Sequence, residues 1–464
     1  MKNILSRIDG SYIYSFLGEA TLGLTFVLYI ILGRVLGPEQ YGVFTAANAL
    51  AGILTFFMLF GLPDLLLREI AADPEEGPKS TTTFLLIEGF NCLVILLLLL
   101  PIATALGFEG SGILVCYLVV VGGGCRCAKQ TLRSVFRGLG QFRSETISVT
   151  IERLAFFAIA SAVLFLTHSL VWVVGAMAVV RLLDAVGLFY YLNRKAPISA
   201  KIELSSFQRS LKMAYPFALS GVLWVLYYQV DMVMLKVLAP AEEAGFYGAA
   251  YSLIEIFSAL PRVIFYVAFP RLTRCYATDP GQLPAEIKRS TVLLLAIALP
   301  FITIAGFSQT LLIKLSYGEA FLPAIGSLAI LLPSLSMKMF ASLVSKLFQA
   351  TRRENLLPSV LLVTVCINVV ANAIMIPHLG AVGAALATLL SEIIFSIVGL
   401  VLVIRIGYGQ IGKTLLAVAI ISLLVASIPS FMLYGLNAIV AIGMMAFGLA
   451  AIPFLMYRQS DRRI

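Results

Sequence analysis

Charge is scarce in this sequence. Asp, Glu, Lys and Arg make up 12% of its 464 residues, about half of what a soluble domain carries. The longest polar gaps, around residues 193–210 and 271–289, are too short to fold alone. No soluble domain is expected. Only His168 and His378 supply imidazole, each in a short turn between apolar runs. Cys92, Cys116 and Cys366 lie in apolar runs, Cys125 and Cys127 share one, and Cys275 falls in a loop. That spacing matches no zinc site, so no metal is expected and the thiols read as small residues of packed helices. The sequence has no Gly-x-x-x-x-Gly-Lys-Ser/Thr and no His-Glu-x-x-His. ATP hydrolysis on this chain is therefore not expected. The glycine cluster Gly122–Gly124 lies inside an apolar run and follows no strand, so it is no phosphate loop.

What is abundant is apolar sequence. The hydrophobic fraction is 60%, and runs of about 20 residues recur from end to end, each able to cross about 30 Å of hydrocarbon. The pattern predicts an all-α polytopic membrane protein of about fourteen spans: 11–32, 41–66, 81–106, 111–134, 146–167, 169–192, 211–238, 243–270, 290–308, 322–349, 355–376, 380–403, 413–434 and 436–457. Lys2 and Arg7 precede the first run as in a signal peptide, but the run extends to Leu32, contains Glu19 and shows no small-x-small cleavage site. It is expected to stay as the first span. With a cytoplasmic N-terminus, about 23 Lys and Arg fall in inside segments and only Arg34 and Lys314 outside. Both termini are therefore expected inside a cell (cytoplasmic) membrane. The net charge of +9 faces anionic lipid and is no sign of nucleic acid.

The chain writes one turn twice. RVLGPEQYGVFTAANAL (Arg34–Leu50) and KVLAPAEEAGFYGAAYSL (Lys236–Leu253) share a basic residue, Val-Leu, Pro, acid and Gly-x-aromatic order. Val174-Gly175-Ala176 leads to Asp184 as Val382-Gly383-Ala384 leads to Glu392. The offsets, about 202 and about 208 residues, fit a duplicated block of six spans. Six is even, so both copies insert alike and a pseudo-twofold axis runs along the membrane normal. The expected organisation is a six-helix lobe over 1–200, a second over 201–405, and a helix pair with a cytoplasmic tail over 406–464. Two such lobes suit the walls of one alternating-access cavity.

LGRVLGPEQYGVFTAANALAGIL, YYQVDMVML with GFYGAAYSL, SYGEAF at Ser316–Phe321, and NVVANAIMIPHLGAVGAALATLLSE at Asn368–Glu392 resemble the polysaccharide-transporter branch of the multidrug/oligosaccharidyl-lipid/polysaccharide (MOP) flippases. The resemblance spans nearly the whole chain. It implies two six-helix bundles in a V-shaped transporter, a polyprenyl-linked glycolipid as cargo, flipped from the cytoplasmic to the outer leaflet for surface polysaccharide or glycan assembly, and glycan-assembly enzymes as partners beside the membrane lipids. Lipid II flippases of the superfamily carry arginine in the first span, where this chain has Glu19, so lipid II ranks below other glycolipids. An ion-coupled multidrug/cation exporter, usually of twelve spans, is the alternative transporter. A membrane polysaccharide polymerase, the alternative enzyme, would need a larger outer loop than the longest here, about 309–321.

A charge within a span costs about 2.5–3.5 kcal/mol, so each needs a reason. Arg126, Lys129, Arg153, Arg181, Lys236, Arg262, Lys338 and Lys346 are matched by Glu19, Asp64, Glu88, Glu152, Asp184, Asp231, Glu255 and Glu392, and pairing can neutralise much of the interior. Arg181 and Asp184 are one turn apart, Glu255 and Arg262 two turns, each on one helix face. Lys236 and Asp64, near span ends, suit snorkelling. Arg126 and Lys129 share a face with no acid on that helix, and Gly122–Gly124 just before them allow close approach of a neighbour or ligand. They either snorkel inward or clamp a diphosphate, which guanidinium grips with two donors. Lys338 and Lys346 are two turns apart and suit an opposite wall. The expected headgroup site is Arg126, Lys129, Arg181, Arg262 and Lys338. Asp231, Glu255 and Glu392 are candidates for coupling to H⁺ or Na⁺, or else lock helices by hydrogen bonds; no other cofactor is expected. Trp224, Tyr227 and Tyr228 either pack or stack on sugar. Pro216, Pro261, Pro270, Pro300, Pro333, Pro358 and Pro429 are hinge candidates.

Overall fold

The computed structural model describes residues 21–72, 77–195, 204–257, 259–408 and scattered positions between 416 and 428. Among these the regular structure is helical, with no strand. The α-helices are α1 Leu22–Leu59, α2 Leu62–Ala72, α3 Gly77–Ala105, α4 Ser111–Gly138, α5 Phe142–Thr167, α6 Leu170–Lys195, α7 Leu204–Leu238, α8 Ala241–Phe257, α9 Ala259–Thr278, α10 Leu283–Phe307, α11 Gln309–Ser316, α12 Ala324–Ala350 and α13 Leu357–Arg405. Nine stretches among the described residues are long and apolar enough to cross a bilayer.

Two of these helices are each a pair in disguise. α1 breaks at Gly37 (φ 79°, ψ 173°), just before Pro38, and α13 breaks at Gly380 (φ 53°, ψ −129°). Both breaks fall where the hydrophobic runs predict a turn between spans. α8 and α9 together cover the expected span 243–270. The expected pair 413–457 lies almost wholly outside the described residues, as do residues 11–20 with Glu19.

Contacts divide the chain into two compact units, residues 1–237 and 238–464. The sequence reading places the first boundary near residue 200, at the polar gap. The structure carries α7 with the first unit because of specific contacts. Gly221 faces the Phe56 ring, and Gly52 meets the Gln229 side chain. Lys236 Nζ donates to the Gly107 carbonyl at 2.8 Å, with the Phe108 ring 5.2 Å from the ammonium.

In the first unit α4 is the central helix, packed on α1, α2, α3 and α6. Three successive glycines make this possible, because successive helix positions point about 100° apart. Gly122 lies against Ala178 and Arg181 of α6, Gly123 against Thr55 of α1, and Gly124 against Cys92 of α3. A Cβ on Gly123 would sit 2.5 Å from Thr55 Cγ2, and one on Gly124 2.8 Å from Cys92 Sγ. The space expected for a neighbour or a ligand is filled by neighbouring helices. Below the glycines, Leu62, Leu65, Leu66 and Ile70 of amphipathic α2 close a core with Phe84, Ile87, Leu132, Val135, Phe136, Leu188 and Leu192.

In the second unit α12 holds the central place, packed on α8, α9, α10 and α13. It is apolar on nearly every face. Its buried serines return their hydroxyls to their own helix: Ser334 donates to the Leu331 carbonyl and Ser336 to that of Pro333, both at 2.7 Å. Facing the break at Gly380, a Glu243 oxygen of α8 accepts from the Ala381 N–H at 2.7 Å. That carboxylate satisfies one of the open donors of the helix that restarts there.

Gly175 and Gly383, which match in the expected sequence repeat, do different work. A Cβ on Gly383 would collide with the Met375 carbonyl across the break, whereas one on Gly175 would meet only Leu118 Cδ1 at 3.9 Å, an ordinary contact. Gly383→Ala should therefore cost about 1–3 kcal/mol by overpacking, while Gly175→Ala should be neutral or gain up to about 1 kcal/mol from helix propensity. Apparent melting temperatures of the purified variants check this; equal shifts for the two would contradict it.

Candidate functional site

The site grows from one stripe of α4. Arg126, Lys129 and Arg133 follow at i, i+3 and i+7, which places them on one face. Lys129 is 1% exposed and pairs with Glu152 of α5 and, at 3.1 Å, with Asp184 of α6. Arg133 Nη2 reaches the same two acids, Glu152 at 2.8 Å and Asp184 at 3.5 Å. Two cations and two carboxylates thus close on themselves, +2 against −2. Buried charges persist only when paired in this way.

Arg126 and Arg181 stand outside this balance. Arg126 is exposed and its Nη2 donates to Thr55 Oγ1 at 3.4 Å. Arg181 is partly buried, and its guanidinium lies 4.9 Å over the Phe156 ring. It lines a narrow cleft with Tyr29, Phe44, Asn48, Val119 and Met177. The two guanidiniums lie within electrostatic reach of each other. Among the described residues neither forms an ion pair. Among the described residues the neighbourhood therefore carries two positive charges without an ion-pair partner, on polar fork-shaped donors, and a cleft with an amide and a phenol beside one of them.

Several expectations change with this geometry. Lys129 does not stand ready as a clamp, because Glu152 and Asp184 already hold it; the absence of an acid on its own helix said nothing about acids on α5 and α6. Arg181 and Asp184 share a helix face but do not pair, because Asp184 turns to Lys129 and Arg133. Arg133 enters the network although the charge pattern had counted it as a cytoplasmic anchor. Its i+4 spacing from Lys129 was the signal that could have found it. Arg153 donates to Thr21 Oγ1 at 2.8 Å. Glu88, 3% exposed, accepts from Thr131 on α4.

In the second unit Lys338 donates to Tyr251 Oη at 3.2 Å and lies 5.3 Å from that ring. Tyr251 stacks on Tyr247 with centroids 5.7 Å apart, and Tyr247 Oη shares a hydrogen bond of 2.9 Å with Thr388. A polar chain thus runs from α12 through α8 to α13, ending one turn from Glu392. Lys346 donates to Gln349 Oε1 at 2.9 Å. The side chain of Arg262 lies outside the described ones. Of the acidic candidates, Asp231 and Glu392 are buried at 4% and 2% exposure. Glu255 is exposed, so the desolvation that made it a coupling candidate is missing.

The chain matches the family model described as "Polysaccharide biosynthesis protein" over residues 8–276. A Shigella flexneri protein named as an O-antigen transporter is 25% identical over 333 residues, covering 69% of this chain and 77% of the relative. A Haloferax volcanii protein named as the low-salt glycan biosynthesis flippase Agl15 is 22% identical over 386 residues, covering 80% and 77%. Among solved structures, the lipid II flippase MurJ in an inward closed conformation aligns with a TM-score of 0.69 at 15% identity, covering 96% of this chain and all of that one. A multidrug resistance MATE family transporter of the MOP superfamily, inward-facing, aligns at 0.66 and 14% identity, covering 84% and 95%. These relatives are named as transporters and flippases, not as enzymes. The chain is a multi-pass membrane protein with the helical fold of MOP-superfamily transporters, and it belongs to the polysaccharide biosynthesis protein family.

Proposed function

We propose that this protein is a flippase that carries a polyprenyl-diphosphate-linked oligosaccharide from the cytoplasmic to the outer leaflet by alternating access, for assembly of cell-surface polysaccharide or glycan. The observation that carries this reading is the charge imbalance in the first unit. Lys129 and Arg133 use up Glu152 and Asp184, and Arg126 and Arg181 are left over. Cations inside a membrane-spanning helix cost about 2.5–3.5 kcal/mol each on insertion scales. Two that form no ion pair among the described residues suit an anionic ligand, and guanidinium is the side chain that grips phosphate with two donors. The names of the relatives support the same class of cargo, and the excess of Lys and Arg in the inside segments supports the orientation of the chain in the membrane. A surplus of positive charge repels cationic drugs, which weakens the exporter alternative. Lipid II shares the diphosphate, so its lower rank rests on the first span alone.

In this reading Arg126 and Arg181 bind the headgroup, and Lys129 is a positioning residue that holds α4, α5 and α6 together beneath them. Lys338 and Arg262 keep their headgroup assignment from the sequence argument. Asp231 and Glu392 are the assigned H⁺ or Na⁺ coupling groups, supported by their burial, and Glu255 is dropped.

In vesicles loaded with a short-chain polyprenyl-diphosphate sugar, Arg126→Ala should reduce flipping at least tenfold with insertion unchanged, and Arg126→Lys should fall between the two because it keeps charge without the fork. Normal flipping by Arg126→Ala removes that residue from the site. Lys129→Met leaves two carboxylates facing one arginine and should cost about 3–5 kcal/mol, read as a lower unfolding temperature that Lys129→Met/Glu152→Gln partly restores. A stable Lys129→Met protein that fails only in binding would instead return Lys129 to the clamp. Flipping should respond to a pH or Na⁺ gradient and lose that response in Glu392→Gln. Indifference of the wild type to both gradients argues against coupling.

A further inference from the structure

One turn of α7 carries three aromatic rings in mutual contact. Trp224 and Tyr228 lie nearly parallel, with centroids 5.8 Å apart and planes at 15°. Tyr227 meets both edge-on, at 5.8 Å and 89° to Trp224 and 5.0 Å and 78° to Tyr228. Tyr227 is buried at 9% exposure and serves as the base of the cluster, while Tyr228 is 38% exposed. Edge-on packing of this kind fixes the orientation of the stacked pair.

Two contacts bring α7 against α1, the helix that also carries side chains beside Arg126 and Arg181. α7 meets α1 where Gly221 faces Phe56 and Gln229 faces Gly52. On α1, Thr55 accepts from Arg126 and Asn48 lines the Arg181 cleft. At 3.6 residues per turn, the face bearing Gly52 and Phe56 is about 60–80° from the face bearing Asn48 and Thr55. The depth agrees as well. Lys236 Nζ is tied to the Gly107 carbonyl, so that end of α7 is level with the turn that leads into α4. Trp224 lies about 18 Å back along α7 from Lys236, and Arg126 about 22 Å along α4 from Ser111, at 1.5 Å per residue. The difference is less than one helical turn.

We propose that Trp224 and Tyr228 form the subsite for the first sugar of the diphosphate-linked glycan. This deepens the headgroup reading above and rests on it. The sugar is bonded directly to the diphosphate, so a diphosphate held by Arg126 and Arg181 places a pyranose within a few ångströms of the adjacent face of α1. The C–H face of a pyranose is apolar and slightly positive, and the face of an aromatic ring is negative. The hydroxyls at its rim need hydrogen-bonding side chains; the Tyr228 phenol is one, and Gln229, whose amide packs on Gly52 of α1, follows it in the chain. The class of ligand recognised is thus a hexopyranose diphosphate, with the rings selecting for sugar and the arginines for phosphate.

The protein supplies its own reporter. Its two tryptophans are Trp172 and Trp224, and Trp172 is 68% exposed, so Trp172→Phe leaves Trp224 as the sole indole in the full-length chain reconstituted in vesicles. Two probes are titrated: polyprenyl diphosphate bearing one N-acetylhexosamine, and the same lipid bare. The proposal expects Trp224 emission to shift with the sugar-bearing lipid and much less with the bare one. It expects Tyr228→Ala to cut the preference for the sugar-bearing lipid by about three- to tenfold, with Tyr228→Phe retaining most of it. Equal emission changes with both probes, or equal weakening of both by Tyr228→Ala, would overturn it and leave the rings as packing. Failure of the headgroup reading looks different: the bare lipid then binds no better to wild type than to Arg126→Ala, whatever Trp224 reports.

Discussion

A charge in hydrocarbon must find an opposite charge, and the organisation of the first unit follows from how that demand is met. Lys129 and Arg133 of α4 share Glu152 of α5 and Asp184 of α6. The quartet ties three helices at one level, and among the described residues no carboxylate forms an ion pair with the next two cations. Arg126 and Arg181 therefore present guanidinium to whatever enters beside α1. Had Asp184 paired with Arg181, as their spacing on one helix allows, Lys129, which is buried, and Arg133 would have been left to share Glu152 alone. The choice of partners decides which cations are available to a ligand.

That choice depends on close packing. Glycine at 123 and 124 lets α1 and α3 approach α4 more closely than a Cβ would allow, and Gly122 lies against Arg181 and Ala178 of α6. The second unit builds its polar contacts by another route. Aromatic rings and hydroxyls relay from Lys338 through Tyr251 and Tyr247 to Thr388, and its central helix α12 is apolar almost all round. The two units thus have different interiors. Gly383 is crowded by backbone, whereas its counterpart Gly175 has room.

Much of the fold was legible because hydrocarbon imposes one pattern on every span. Run length gave the helices, and the breaks at Gly37-Pro38 and at Gly380 coincide with the expected turns. The division near residue 200 was not legible: the polar gap there is real, but the attachment of α7 to the first unit depends on Gly52, Phe56 and Gly107, residues about a hundred or more positions away in the chain. The site was legible in part. Hydropathy marks a charge as exceptional, and so it found Arg126, Lys129 and Arg181. It cannot say which acid on which neighbouring helix each cation meets, so it gave Lys129 a ligand role and overlooked Arg133. Burial is equally invisible at single positions, which is why Glu255 ranked beside Asp231 and Glu392 although only the latter two are enclosed.

The central claim is that the two arginines left unpaired in the first unit hold the diphosphate of a glycolipid. Mass spectrometry of the lipid that stays with the protein through gentle purification from its own membrane tests it most directly. The account predicts a polyprenyl-diphosphate glycan retained by the native chain and lost when both Arg126 and Arg181 are replaced by glutamine. Retention of bulk phospholipids alone, or of the same glycolipid by that double variant, would contradict it.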